Sequence, residues 1–201
     1  MDRHGASWGS TLALAYALEH PTRVHGAALV AVTTSSRKEI EWITEDIGWV
    51  FPEEWARFVE ESHAQPGERV IDAYARRLSG PDREDARRAA LSWDRWETTH
   101  VSVDRAWVPS PLFDDEAQRM TFALLVTRYW ANDGFLSCGN EILPRIRELS
   151  GIPGHLIHGR RDISGSAATA WQLHQKWNTS GLIVIESEGH GPPLNHSTHP
   201  S

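Results

Sequence analysis

The chain is 201 residues long, 40% hydrophobic with 10 tryptophans, and carries 20 Lys and Arg against 27 Asp and Glu for a net charge of -7. This composition describes a folded chain with one good core and a small accessory layer, and it excludes intrinsic disorder. No Lys/Arg cluster is interleaved with aromatics and no apolar run is long enough to span a bilayer, so neither nucleic acid nor a membrane is an expected partner; the single Cys138, which cannot form an internal disulfide, fits a soluble cytoplasmic protein.

Near the start stands Gly5-Ala6-Ser7-Trp8-Gly9. Glycines two residues before and after a serine leave room for a sharp strand-to-helix turn that holds the hydroxyl out at the rim of a sheet. The spacing predicts a helix over 10–20, with Leu12, Ala15, Tyr16 and Ala17 available for burial and Pro21 ending it. Residues 24–32, Val-His-Gly-Ala-Ala-Leu-Val-Ala-Val, read as a strand buried on both faces, as in a parallel sheet. A buried strand should also lead into the turn at Ser7, yet only Met1, Asp2, Arg3 and His4 precede it, two of them charged. That tetrapeptide is excluded as a central strand, and the chain is expected to begin inside a fold whose first strands it lacks.

From 35 to 150 the pattern is helical, with segments predicted at 37–46, 52–63, 66–78, 81–99, 114–132 and 140–149. Pro52, Pro66 and Pro81 each fit a first helical turn, whereas Pro144 kinks the last segment or delays its start. Trp42, Trp49, Trp55, Trp93, Trp96, Trp107 and Trp130 all fall in this stretch, as a dense small core or the lining of an aromatic pocket. After 150 the α/β pattern returns: a strand at 154–158, the turn Gly159-Arg160-Arg161-Asp162, a helix at 166–177, a buried strand at 182–185 and the loop Glu188-Gly189-His190-Gly191. Residues 1–34 and 151–190 thus read as two parts of one α/β core, 35–150 as an inserted helical layer, and 191–201, almost without apolar residues, as a disordered tail.

A serine hydroxyl is a poor nucleophile until a histidine takes its proton and an acid orients that histidine. Ser7, Asp162 and His190 occur in the order Ser, acid, His, with the acid and histidine each on a loop after a late strand, the order of α/β-hydrolases. His155 and His158, three apart on one strand, point to opposite faces and are poor co-ligands, and His196 and His199 share that spacing in the tail. No metal site is predicted. Glu53-Glu54, Glu60-Glu61 and Asp114-Asp115-Glu116 sit at helix starts or on solvated faces, and no glycine-rich phosphate loop occurs, so no cofactor is expected.

The stretch from Gly5 to Ala17 with His20-Pro21, then Phe51-Pro52-Glu53-Glu54-Trp55, Ala73-Tyr74 with Arg76-Arg77-Leu78, Trp93 with Trp96-Glu97, Gly134-Phe135-Leu136, Gly159-Arg160-Arg161-Asp162 and Ala170-Trp171-Gln172-Leu173-His174 resembles the proline iminopeptidases (prolyl aminopeptidases). These are serine peptidases with an α/β-hydrolase fold and a helical cap. The resemblance implies an α/β class, here the C-terminal portion of a mostly parallel sheet with an inserted all-helical cap, and removal of an N-terminal proline from a peptide through an acyl-enzyme. It further implies that Ser7 attacks, His190 acts as base and then acid, Asp162 orients His190, the Trp8 N–H serves as an oxyanion donor, and Glu97 binds the substrate's amino group. Three departures stand out. The family's N-terminal half with its His-Gly-Gly-Pro-Gly loop is absent, a second cap glutamate appears as Val126, and a polar tail replaces the C-terminal helix. Two alternatives stay open: another α/β-hydrolase acting on esters or amides, and a non-catalytic fragment or interaction module pairing through an exposed sheet edge.

Overall fold

The computed structural model describes residues 2–101, 103, 114–136 and 138–190. They divide into two compact units, one containing 2–34, 103 and 142–190 and the other 35–101, 114–136 and 138–141.

The first unit is α/β. Strands β1 (Asp2–Ala6), β2 (Gly26–Val30), β3 (Gly154–Gly159) and β4 (Ser180–Ile185) form a parallel sheet in the order β1-β2-β3-β4. Its register aligns Gly5, Leu29, Leu156 and Leu182 in one row across the sheet, with Leu29 and Leu156 fully buried. Helix α1 (Trp8–Glu19) packs on β1 and β2, and α8 (Ala167–Lys176) packs on β3 and β4. The β1–β2 and β3–β4 pairs thereby each gain a helical crossover that covers them.

Three expectations change here. The stretch before Ser7 does form a strand, because Gly5 and Ala6 complete it and because it lies at the edge of the described sheet. There its alternate side chains can face water, and Arg3 lays its guanidinium 3.8 Å over the Tyr16 ring. Nor are β2 and β4 buried on both faces: their burial alternates, and Ile183 on β4 is exposed. Helix α1 also turns a different face inward. Of the four residues expected to be buried only Ala17 is, alongside Ser10, Thr11, Ala13, Leu14 and Leu18, while Leu12 is 48% exposed. Two hydroxyls face inward because the loop after β2 satisfies them: Thr11 Oγ1 donates to the Thr33 carbonyl at 2.9 Å, and Ser10 Oγ accepts the Thr33 N–H at 2.9 Å.

Pro144 has its expected effect. The predicted 140–149 helix is a single turn, α7 (Ile142–Arg145), followed by a 3-10 turn at Ile146–Leu149. Both contact α1 and group with the sheet, whereas the sequence reading runs the helical stretch on to 150. Trp177 closes this core, its indole N–H shared between the Leu149 and Ile152 carbonyls, and Gly154 makes room for it: a Cβ there would lie 2.5 Å from the ring.

The second unit holds α2 (Arg37–Thr44), α3 (Pro52–Ser62), α4 (Val70–Leu78), α5 (Arg83–Val101) and α6 (Glu116–Ala131). Its centre is aromatic: Phe58 stacks on Tyr74 at 4.6 Å and on Trp96 at 4.9 Å, and Trp93 meets Tyr74 edge-on. Tyr74 donates to the Phe58 carbonyl, and burial pushes its phenol well above the ordinary tyrosine range. Trp93 and Trp96 are therefore core residues, Trp49 is 94% exposed, and Trp107 lies outside the described residues. Two helix starts fall later than Pro66 and Pro81 suggest. Glu68 accepts the Gln65 N–H to make a turn before α4, and Asp82 accepts the N–H groups of Glu84 and Asp85 to begin α5. The two ends of this unit converge: Arg37 pairs with Asp133 at 2.7 Å, and a Cβ on Gly134 would lie 3.2 Å from Ser35 Cβ. The 191–201 tail lies outside the described residues, and no helix among them is long and apolar enough to cross a membrane.

Candidate active site

Ser7 stands between the last residue of β1 and the first of α1, with φ 52° and ψ -126°. A non-glycine residue in that region costs on the order of 1–3 kcal/mol and persists only where its surroundings impose it. Here they do. The Ser7 N–H donates to the Val30 carbonyl at 3.0 Å, and the Ser7 carbonyl accepts both the Ser10 N–H at 2.8 Å and Ser10 Oγ at 2.6 Å. The turn is so tight that a Cβ on Gly5 would fall 2.3 Å from the Gly9 carbonyl oxygen, whereas a Cβ on Gly9 would meet nothing.

The acid and the histidine arrive on the loops after β3 and β4. These loops touch backbone to backbone: Arg160 N–H donates to the Ile185 carbonyl and Arg161 N–H to the Glu188 carbonyl, each at 2.9 Å. Gly159 permits this approach, since a Cβ there would lie 2.3 Å from the Gly189 oxygen. His190 then reaches Ser7 Oγ with Nε2 at 2.8 Å and Asp162 Oδ2 with Nδ1 at 2.9 Å. Asp162 is buried, and its Oδ1 accepts the Gly165 N–H at 2.7 Å.

A carboxylate only accepts, so His190 Nδ1 carries the proton and Nε2 presents a lone pair to the Ser7 hydroxyl. The arrangement can take a proton from Ser7 and hold the resulting imidazolium beside a fixed negative charge. Ser7, Asp162 and His190 are thus brought together, and Trp8, as the first residue of α1, sits at the helix N-terminus beside Ser7. Glu97 lies elsewhere, on α5 in the helical unit, with Oε2 3.8 Å from His100 Nε2, and Val126 lies on α6. His155 is exposed and His158 buried, on opposite faces of β3. Among the described residues no three His, Cys, Asp or Glu side chains gather as a metal site. The sequence reading weighed His158 only as a metal ligand and passed over Ser10. The signal available was their polarity inside apolar stretches.

Residues 4–197 match the family model described as alpha/beta hydrolase fold, and the chain belongs to that family. It is 39% identical over 191 residues to the protein named "Probable proline iminopeptidase" in Streptomyces coelicolor, covering 92% of this chain and 58% of that one. With the proline iminopeptidase of Xylella fastidiosa (strain 9a5c) it shares 34% over 191 residues, covering 92% and 60%, and with that of Arabidopsis thaliana 30% over 190 residues, covering 92% and 50%. The chain therefore spans 50% to 60% of the length of these relatives. Among solved structures, an alpha/beta hydrolase enzyme from a Medee basin deep-sea metagenome library superposes with a TM-score of 0.53 at 14% identity, covering 94% of this chain and 57% of that one. This is a likeness of fold.

Proposed function

We propose that Ser7, His190 and Asp162 are the nucleophile, the general base and its orienting acid of a serine hydrolase, and that the protein releases N-terminal proline from peptides. The observation that carries the reading is the continuous chain of contacts from Ser7 Oγ through His190 to Asp162 at 2.8 and 2.9 Å. In the reaction, Ser7 Oγ attacks the prolyl carbonyl as its proton passes to His190 Nε2. The amide C–N bond breaks as His190 returns that proton to the leaving amine. Water, deprotonated by His190, then attacks the acyl-enzyme, releasing proline and restoring Ser7. The Trp8 N–H, at the positive end of α1, is the oxyanion donor within this chain. Glu97 supplies a carboxylate for the substrate's free amine, and the similarity to proline iminopeptidases supports that assignment. The single Cys138 fits a reducing, cytoplasmic setting.

Val126, where the resembled family has a second cap glutamate, favours one further reading: an ester or amide hydrolase with weaker selection for the free amine. A fluorophosphonate probe and three substrates test both. Covalent labelling of the chain and its loss in Ser7→Ala are expected, with proline naphthylamide turned over faster than an N-acylated proline amide or a simple ester. Labelling unchanged in Ser7→Ala would sink the triad assignment. Preference for the ester would move the substrate to the second reading.

A further inference from the structure

His158, near the end of β3, takes no part in the proton path just described, yet both of its ring nitrogens are committed. Nδ1 accepts the Val32 N–H at 3.0 Å, which requires a lone pair there, so Nε2 carries the proton and donates to the Gly165 carbonyl at 2.8 Å. The ring is thereby held in one neutral tautomer. Its two partners lie on either side of the site. Val32 adjoins Thr33, whose backbone engages Ser10 and Thr11 beneath the Ser7 turn. Gly165 donates its own N–H to Asp162 Oδ1 at 2.7 Å.

His158 Nε2 also lies 3.5 Å from Asp162 Oδ2, the oxygen that receives His190 Nδ1 at 2.9 Å. Both the His158 and Asp162 side chains are fully buried. A buried carboxylate must have its lone pairs met by donors, and donors on several sides fix its plane. Gly165 N–H and His190 Nδ1–H are the donors to this one, and the His158 ring, its Nε2–H given to the Gly165 carbonyl, lies against Oδ2 at 3.5 Å.

We propose that His158 is a positioning residue for Asp162: locked with its proton on Nε2, it holds the acid loop through Gly165 and turns Oδ2 toward His190. The proposal rests on reading Ser7, His190 and Asp162 as a hydrolytic triad. His158 is no alternative base, because protonating Nδ1 would break its bond to Val32.

The test uses the full chain, labelled with 15N-histidine, and two variants that separate the two ends of the ring. His158→Asn can still accept from Val32 but does not reach Gly165, whereas His158→Gln can place a donor where Nε2–H was. Three results are expected. The ring nitrogen shifts of His158 report the Nε2–H tautomer. The downfield proton of His190 Nδ1–H bonded to Asp162 is present in the parent and in His158→Gln, and is lost or displaced in His158→Asn below its unfolding temperature. Probe labelling of Ser7 slows at least about tenfold in His158→Asn and stays within about threefold in His158→Gln.

A Nδ1–H tautomer overturns the proposal, as does a His190 proton unchanged in His158→Asn; absence of that proton in the parent defeats the triad reading. If His158→Asn does not fold, the parent tautomer and His158→Gln still decide. Failure of the parent to label defeats the triad reading instead, and the two resonance measurements then judge His158 separately.

Discussion

Two glycines flank Ser7, but its surroundings demand only one of them. A methyl at Gly5 would collide with backbone atoms of Gly9 and Ser10, which have no rotamer by which to yield; a methyl at Gly9 would enter open space. Gly5→Ala is expected to abolish probe labelling and to cost about 1–3 kcal/mol in thermal unfolding. Gly9→Ala should keep labelling and gain up to about 1 kcal/mol, as Gly-to-Ala changes in helices do. Gly159→Ala acts at a distance: it would displace Glu188 and Gly189 and with them His190, so the labelling rate should fall about a hundredfold or more even where the chain still melts cooperatively. At this scale the candidate residues could be read from the chain, because Asp162 and His190 each follow a recognisable strand end and Ser7 sits in a Gly-x-Ser-x-Gly turn, and the structure brings the three side chains within hydrogen-bond reach. The sequence hid what holds them. Ser10, Thr11 and His158 are polar residues whose partners are backbone groups of distant loops, and no local pattern marks such a pairing.

Among the helices, charge placement governs behaviour in acid. Arg77 on α4, 4% exposed, pairs with Asp85 on α5 at 2.7 Å and holds that carboxyl below the usual range. Arg76 and the Gln65 N–H likewise hold Glu68 down, at about 2. A carboxyl whose folded value lies below its unfolded one contributes stability that is fully present above the ordinary carboxylate range, near 4, and is lost as pH falls through the folded value. Asp85→Asn should therefore lower the stability of the helical unit by about 2 kcal/mol at pH 7, with the gap from the parent closing as both are melted toward pH 2. Glu45 behaves oppositely: burial raises its carboxyl, so its ionisation opposes folding and its contribution worsens as pH rises. Glu45→Gln, which can still accept the Val70 N–H, should melt no lower than the parent at pH 7, and parent and variant should converge near pH 4. The helices themselves were legible from the prolines and glycines that separate them. The starts of α4 and α5 were misjudged because a proline suits the turn before a capped helix as well as its first turn.

For the molecule as a whole, the α/β class and the order of its site residues could be read from the chain, while the faces of its strands could not. A run such as Ala27-Ala28-Leu29-Val30 looks the same whether both sides are covered or one, and the alternating burial of β2 depends on what packs there rather than on local sequence. The convergence of Ser35 with Gly134 and of Arg37 with Asp133 bears on how such a chain can fold at all. The bond from Val32 to His158 joins residues 126 apart, a long parallel pairing that a disordered chain closes slowly and at an entropic cost. Once the helices between them have folded and drawn their own ends together, the path left to close shortens to roughly 27 residues, which lowers the closure cost by about 1.4 kcal/mol. The insertion is thus a splice in the chain's contour, and it lets distant strands find each other as though they were near neighbours.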